Sequence, residues 1–339
     1  MRHSTLPAVL VLLLAPATGS ALVGDAIILE PEQLETLEQV SRDMEKTSAS
    51  DALEHLIAKP AGEPLTEYRL RKALLAQALP LDPVTRNQVE SLTRRDARVM
   101  VWMEHPGTTR RPGVAIDVAA TAKHLLRQDD SFRKAQQISA AAFAGKSLHV
   151  DDENAWRTFA RMVDADLAAA TLRAHLGQSP VEKALADLAI ATGSSELAMD
   201  LVSKGNGERL VNLAGDVLNA FPNSQERLVK AGLQQPELAA VMLGELRDHA
   251  NTPWARELLK RELESPQLGI AAAVSIGRGG DDALLADMYS LLASNSPGAP
   301  NAALALHMSH SPYAITLLQR YLDEQPDGQL AGQVKEWLK

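Results

Sequence analysis

Apolar residues recur at three- and four-residue spacing along most of the chain, the period of an amphipathic helix. Leu34, Leu37, Val40 and Met44 form one such stripe behind Pro31, a residue suited to the first helical position. Ser50 is placed to cap a short helix bearing Leu53, Leu56 and Ile57. Pro64 opens a helix reaching about Ala78, and Pro83 a longer one reaching Trp102 and Met103. Two prolines and a glycine between His105 and Pro112 break the pattern and predict a joint. Beyond it, Pro112–Arg127 and Ser131–Gly145 predict a hairpin turned at Asp129 and Asp130. Asn154–Leu176 predicts one long helix with Trp156, Phe159, Met162 and Val163 inside. Sustained period-two alternation flanked by hairpin turns does not occur, so the expectation is an all-α chain.

The second half repeats. Proline or glycine opens an apolar, alanine-rich segment at Pro180, Gly207, Pro236, Pro266, Pro297 and Gly328, in steps of 27, 29, 30, 31 and 31 residues. Each first helix carries small residues where a neighbour would approach: Ala184 and Ala186, Ala214 and Gly215, Ala239 and Ala240, Ala271 to Ala273, Ala302 and Ala303, then Ala331 and Gly332. Each second helix is bulkier and more charged, as in Trp254, Leu258 and Leu259 or Tyr313, Leu317 and Leu318. A lone hairpin of this kind cannot bury both apolar faces, whereas stacking on neighbours completes a continuous core.

This period, helix pairing and alanine/proline placement resembles HEAT-like α-solenoid repeats of the short, roughly thirty-residue variety. The resemblance spans Pro180 to Lys339 and extends more loosely over Pro112 to Gly177. It implies a right-handed α-α superhelix preceded by a smaller helical region. The expected divisions are a signal peptide over 1–21, an N-terminal helical region over 22–104, a linker over 105–112 and the repeat domain over 113–339. The tetratricopeptide and ankyrin signatures are absent in register.

Composition adds an address. Arg2, the apolar run Leu6 to Leu14 and the small residues Ala15 to Ala21 follow the order of a secretory signal peptide, with cleavage after Ala21 or, as runner-up, Gly19. The apolar run is far shorter than the ~20 residues that span a bilayer. The expected location is the periplasm, with secretion as the alternative. No cysteine is present, so packing alone must hold the chain without disulfides. The net charge is −9; losing Arg2 with an acid-free leader leaves −10, which argues against nucleic acid as a partner.

Charge is uneven near the start, with eleven acids against three bases over 22–68 and nine bases against four acids over 69–111. The bases cluster at Arg94, Arg95, Arg98, Arg110 and Arg111. They form either a solvated face paired within a helical layer or a surface for an anionic partner such as a lipid head group or cell-wall polymer.

Catalytic signatures are sparse. Gly277 to Asp282 has the look of a phosphate loop but lacks the lysine–serine pair and a preceding strand, so it reads as a turn with Asp281 as a helix cap. Ser131 and Lys134 have serine-x-x-lysine spacing without the companion elements. His307 and His310 are three apart without a nearby carboxylate, and the acids after His149 suit a helix N-terminus. No catalytic, cofactor or metal residues are assigned. The expectation is an exported, non-enzymatic scaffold for a protein or peptide partner in the cell envelope, without cofactor, nucleic acid or membrane span. The alternatives are a peptidoglycan-acting enzyme using carboxylates in a helical groove, or a structural subunit of an envelope complex.

Overall fold

The computed structural model describes residues 21–23, 26–47, 53–97, 99–103 and 111–339. The signal-peptide expectation over 1–21 and the Ser50 cap fall almost wholly outside that range, Ala21 being the first residue within it. The fold is predominantly helical, as the apolar period requires, and divides into two compact units, Met1–Lys134 and Ala135–Lys339.

Unit one departs from the purely helical expectation. Strands β1 (Ala21–Val23), β2 (Ala26–Leu29), β3 (Val99–Met103) and β4 (Arg111–Ile116) form a sheet in that order. β2 and β3 are parallel, with Ile28 opposite Met100, while both outer pairs are antiparallel. A parallel pair needs a long crossover, and helices α1 (Pro31–Thr47), α2 (Leu53–Ile57), α3 (Pro64–Leu75) and α4 (Pro83–Leu92) supply it. Asp82 caps α4 by accepting the Val84 and Thr85 amides at 2.9 and 3.0 Å. That helix ends at Leu92, so Trp102 and Met103 lie in β3 and not at a helix end. Val-Met-Val-Trp-Met is a continuous apolar run, and periodicity cannot separate such a run from a buried helical turn. Its β-branched and aromatic content favours the strand.

The 105–112 segment is likewise no joint between domains. Met103 pairs with Arg111 and Trp102 with Pro112, so this stretch connects two strands of one sheet. The predicted hairpin at Asp129–Asp130 is replaced by a continuous helix, α5 (Val118–Phe143). Asp129 is fully buried there and accepts the Leu81 amide at 2.8 Å, while Arg86 and Arg133 both pair with it. A satisfied buried carboxylate inside the helix removes any need for it to turn the chain.

Unit two is a stack of hairpins. Its elements are α6 (Glu153–Met162), α7 (Ala165–Ala174), α8 (Glu182–Thr192), α9 (Ser195–Lys204), α10 (Gly207–Leu210), α11 (Ala214–Ala220), α12 (Gln225–Gly232) and α13 (Pro236–Gly244). They continue as α14 (Pro253–Glu262), α15 (Gly269–Gly279), α16 (Asp282–Ala293), α17 (Ala299–Ser309), α18 (Pro312–Glu324) and α19 (Ala331–Trp337). The expected long helix over Asn154–Leu176 is two helices, broken at extended Val163 with Asp164 capping α7. Five of the Pro/Gly marks fall at or just before the first helix of a hairpin, as the spacing predicted, while Gly207 opens the short α10, seven residues before α11.

First helices form one layer, with α6, α8, α11, α13, α15 and α17 each packing on the next. α7, α9 and α12 pack in the same order in a second layer, as do α16 and α18. The small residues sit at the close approaches, Ala184, Ala186, Ala214, Ala239, Ala272, Ala273, Ala302, Ala303 and Ala331 all being buried, whereas Ala240 and Gly332 are exposed. One apolar core runs from Ala135 to Val334 without interruption.

Polar side chains tie the hairpins together. The Gln235 amide donates to the Val202 carbonyl at 2.6 Å, Asn301 to that of Leu263 at 2.7 Å and Gln325 to that of Ala293 at 3.0 Å. These acceptors lie at the C-terminal ends of α9, α14 and α16, where carbonyls lack intrahelical donors.

Candidate functional site

Of the five arginines in the basic cluster, the side chains of Arg94 and Arg95 are described, and Arg95 is committed within the fold. Arg95 is only 10% exposed and closes on buried Glu67, with its Nη2 at 2.7 Å from a carboxylate oxygen. The same nitrogen donates to the Lys59 and Pro60 carbonyls at 3.2 and 3.1 Å. A guanidinium committed in this way offers nothing to a ligand. Arg94, its neighbour, is exposed. Arg98 and Arg110 lie outside the described residues, as does Gly19, while the Arg111 backbone forms the start of β4.

The motif resemblances resolve into structure. Asp281 caps α16, accepting the Leu284 amide at 2.8 Å, and Arg256 grips its carboxylate at 2.8 Å. Its own amide donates to Asn251 Oδ1 at 2.8 Å. The glycines before it are where helices nearly touch: a Cβ on Gly277 would stand 2.6 Å from the Ala305 carbonyl oxygen. Ser131 and Lys134 lie within α5, not at a helix start behind capping aspartates. Asp152 caps α6 as the acidic run predicted. His307 stacks on Trp337 at 4.5 Å, with the His310 ring 5.7 Å away. Among the described residues no three side chains converge as a metal site.

One pairing was hidden from the sequence. His175 is buried against Trp156, with Nδ1 2.8 Å from the Thr171 carbonyl and Nε2 3.1 Å from Ser147 Oγ. The carbonyl fixes the proton on Nδ1, leaving Nε2 to accept from the serine. His149 and Ser179 make a second 3.1 Å contact alongside. Base and hydroxyl stand as in a nucleophile pair, but the group orienting the imidazole is a main-chain carbonyl and not a carboxylate. Together the two pairs fasten residues 147–149 to the end of α7.

Buried acids are each closed by an arginine. Glu67 meets Arg95, Glu182 meets Arg209 at 3.4 Å and the Asn206 amide at 3.0 Å, and Asp129 meets Arg86 and Arg133. Burial alone would raise the Asp129 pKa, but the Leu81 amide and the two guanidinium groups together hold it below the usual carboxylate value. Lowered values suit permanent anions, the opposite of what a general acid requires.

Recesses open on the hairpin stack. A polar one of about 270 Å³ lies beside Arg173 and Asp200, which pair at 2.7 Å; Lys204 holds the other side of Asp200 at 2.6 Å. A larger groove of about 450 Å³ separates α6 from α8. Ala160, Leu188 and Ile190 give it an apolar lining, and Arg157 bridges it to Asp187 at 2.8 Å. Arg161 lines the same wall one turn along, exposed and without a charged partner among the described residues. Two neighbouring first helices thus present an apolar trough with a free guanidinium at its rim. Comparison of the chain with protein families, with curated proteins and with solved structures finds no match in any of the three.

Proposed function

We propose that this chain is an exported helical-repeat scaffold, HEAT-like in its right-handed superhelical stacking, that acts in the cell envelope by holding a protein or peptide rather than by catalysis. The observation that carries the reading is the layer of first helices. It repeats one helix face from hairpin to hairpin and opens into an apolar groove between α6 and α8. Such repetition makes an extended surface for a macromolecular partner. The ion pairs that lower the Asp129 and Asp200 pKa values suit a structural role for these two carboxylates rather than acid catalysis.

Photo-crosslinking tests it in cells, using benzoylphenylalanine placed singly at exposed Ile190 in α8 and Ile270 in α15. A discrete higher-mass adduct at either position, absent from an exposed control at Glu336, is the expected result. Absence of adducts at both positions would sink the scaffold reading. Export has its own check: native protein whose N-terminus begins at Met1 is not processed by a signal peptidase.

A further inference from the structure

Resting on the scaffold reading, we infer that the groove between α6 and α8 receives an amphipathic helix of a partner protein. That helix lays apolar side chains over Leu188 and Ile190 and turns an Asp or Glu side chain toward Arg161.

Shape comes first. Both walls are helix flanks, and the small side chains of Ala160, Ala184 and Ala191 let another backbone come close. A volume of about 450 Å³ accepts a few apolar side chains, not a folded domain. Ile190, which lines the groove, is 42% exposed. An aliphatic side chain in water beside a trough is an anchor of the kind a helix-in-groove contact uses.

Charge then selects the partner. Arg157 is neutralised across the groove by Asp187, which also receives Lys183 at 3.4 Å. Arg161 stands four residues beyond Arg157, on the same face of α6. Its place in the last turn suits the helix dipole, but that leaves its donors free for a carboxylate. On a chain of net charge −9, a lone cation beside an apolar trough is a local reversal of sign.

Backbone accounting argues against strand addition. The amides of α6 and α8 serve their own helices. Every residue that lines the groove belongs to α6 or α8, so strand addition lacks its ladder there. A side-chain carboxylate on a helix fits instead.

The test pans a phage-displayed library of 16-residue peptides on the full chain, followed by fluorescence anisotropy with a fluorescein-labelled synthetic copy of the leading sequence. Expected is a family with apolar residues at i, i+3 or i+4, and i+7 and an adjacent Asp or Glu. Its binding should fall about tenfold or more on Arg161→Glu, and on Ile190→Asp, with melting curves of both variants unchanged. Replacing the peptide's acid by lysine should restore binding to the Arg161→Glu protein. The proposal is overturned if no family emerges, if the family lacks an acid, if Arg161→Glu leaves affinity unchanged, or if amidating the peptide C-terminus abolishes binding. Crosslinks at Ile270 with failure of this test would keep the scaffold and move its site elsewhere; silence at Ile270 and Ile190 would remove the scaffold itself.

Discussion

Replacing Gly279 by alanine sets two effects of opposite sign against each other. Gly279 is the last residue of α15, and an alanine there has the better intrinsic helix propensity by about 0.8–1 kcal/mol. Its Cβ, however, would stand 1.6 Å from the Arg247 carbonyl oxygen, 2.5 Å from the carbonyl carbon and 3.0 Å from the Cα. Ordinary carbon contacts need roughly 3.5 Å, so the main chain would have to retreat by about 2 Å. It cannot do so freely: Arg247 lies in a 3-10 turn between buried Leu246 and buried Ala250. Overpacking of this severity costs about 3 kcal/mol, so about 2 kcal/mol of net destabilisation remains after the propensity gain. For a unit of about 200 residues this lowers Tm by roughly 4–8 °C. Gly244 is the matched control, as the last residue of α13 in the same layer. It has helical φ and ψ of −59° and −38°, and a Cβ there would enter open space with no contact to a neighbouring element. Gly244→Ala should therefore gain about 0.5–1 kcal/mol. Urea and thermal unfolding followed by circular dichroism read both variants. A Gly279→Ala protein as stable as the parent, with an unchanged urea slope, would refute the close-approach argument.

Arg95→Ala should cost unit one about 3–5 kcal/mol by leaving Glu67 buried without its partner, while Arg94→Ala stays within about 0.5 kcal/mol; equal urea midpoints would contradict the ion-pair reading. Asp129 has a folded-state pKa below its unfolded one, so its stabilising contribution is full above the unfolded value of about 3.9 and is lost as pH falls through the folded value. Asp129→Asn should flatten the acid limb of a stability–pH curve, and an unaltered limb would count against it. His307 also titrates below its ordinary value, first because it is buried and second because His310 is near. Its unfolded state binds the proton first, so stability should decline as pH drops below about 6.5 and be restored above it. His307→Gln should remove that slope between pH 7.5 and 5.5 in scanning calorimetry; a slope that persists assigns the effect to other groups.

The hairpin stack could be read from the chain because proline and glycine punctuate helices for local steric reasons, and alanine marks close approach wherever it recurs. Pro236, for example, opens α13, and Ala239 three residues on is buried. The sheet could not, since β2 and β3 pair residues such as Ile28 and Met100 that are far apart in sequence, and each strand is too short to alternate. Asp129 misled because Asp-Asp resembles a turn, and only its distant partners Leu81 and Arg86 show it to be interior. The groove was equally hidden. Arg157 and Asp187 are 30 residues apart, one repeat step, and a search for opposite charges at that step would have found the pair.

The amide ties from Gln235, Asn301 and Gln325 carry an evolutionary consequence. Gln235, opening α13, completes the end of α9 with the hairpin of α10 to α12 between them. Asn301 in α17 does the same for the chain leaving α14 across the hairpin of α15 and α16. An array coupled only to adjacent repeats can lengthen by duplicating one of them. Here a copied or deleted hairpin would strand a buried carbonyl on one side and an amide on the other. Duplicating or deleting a hairpin here would therefore cost stability at these ties as well as at the packed faces.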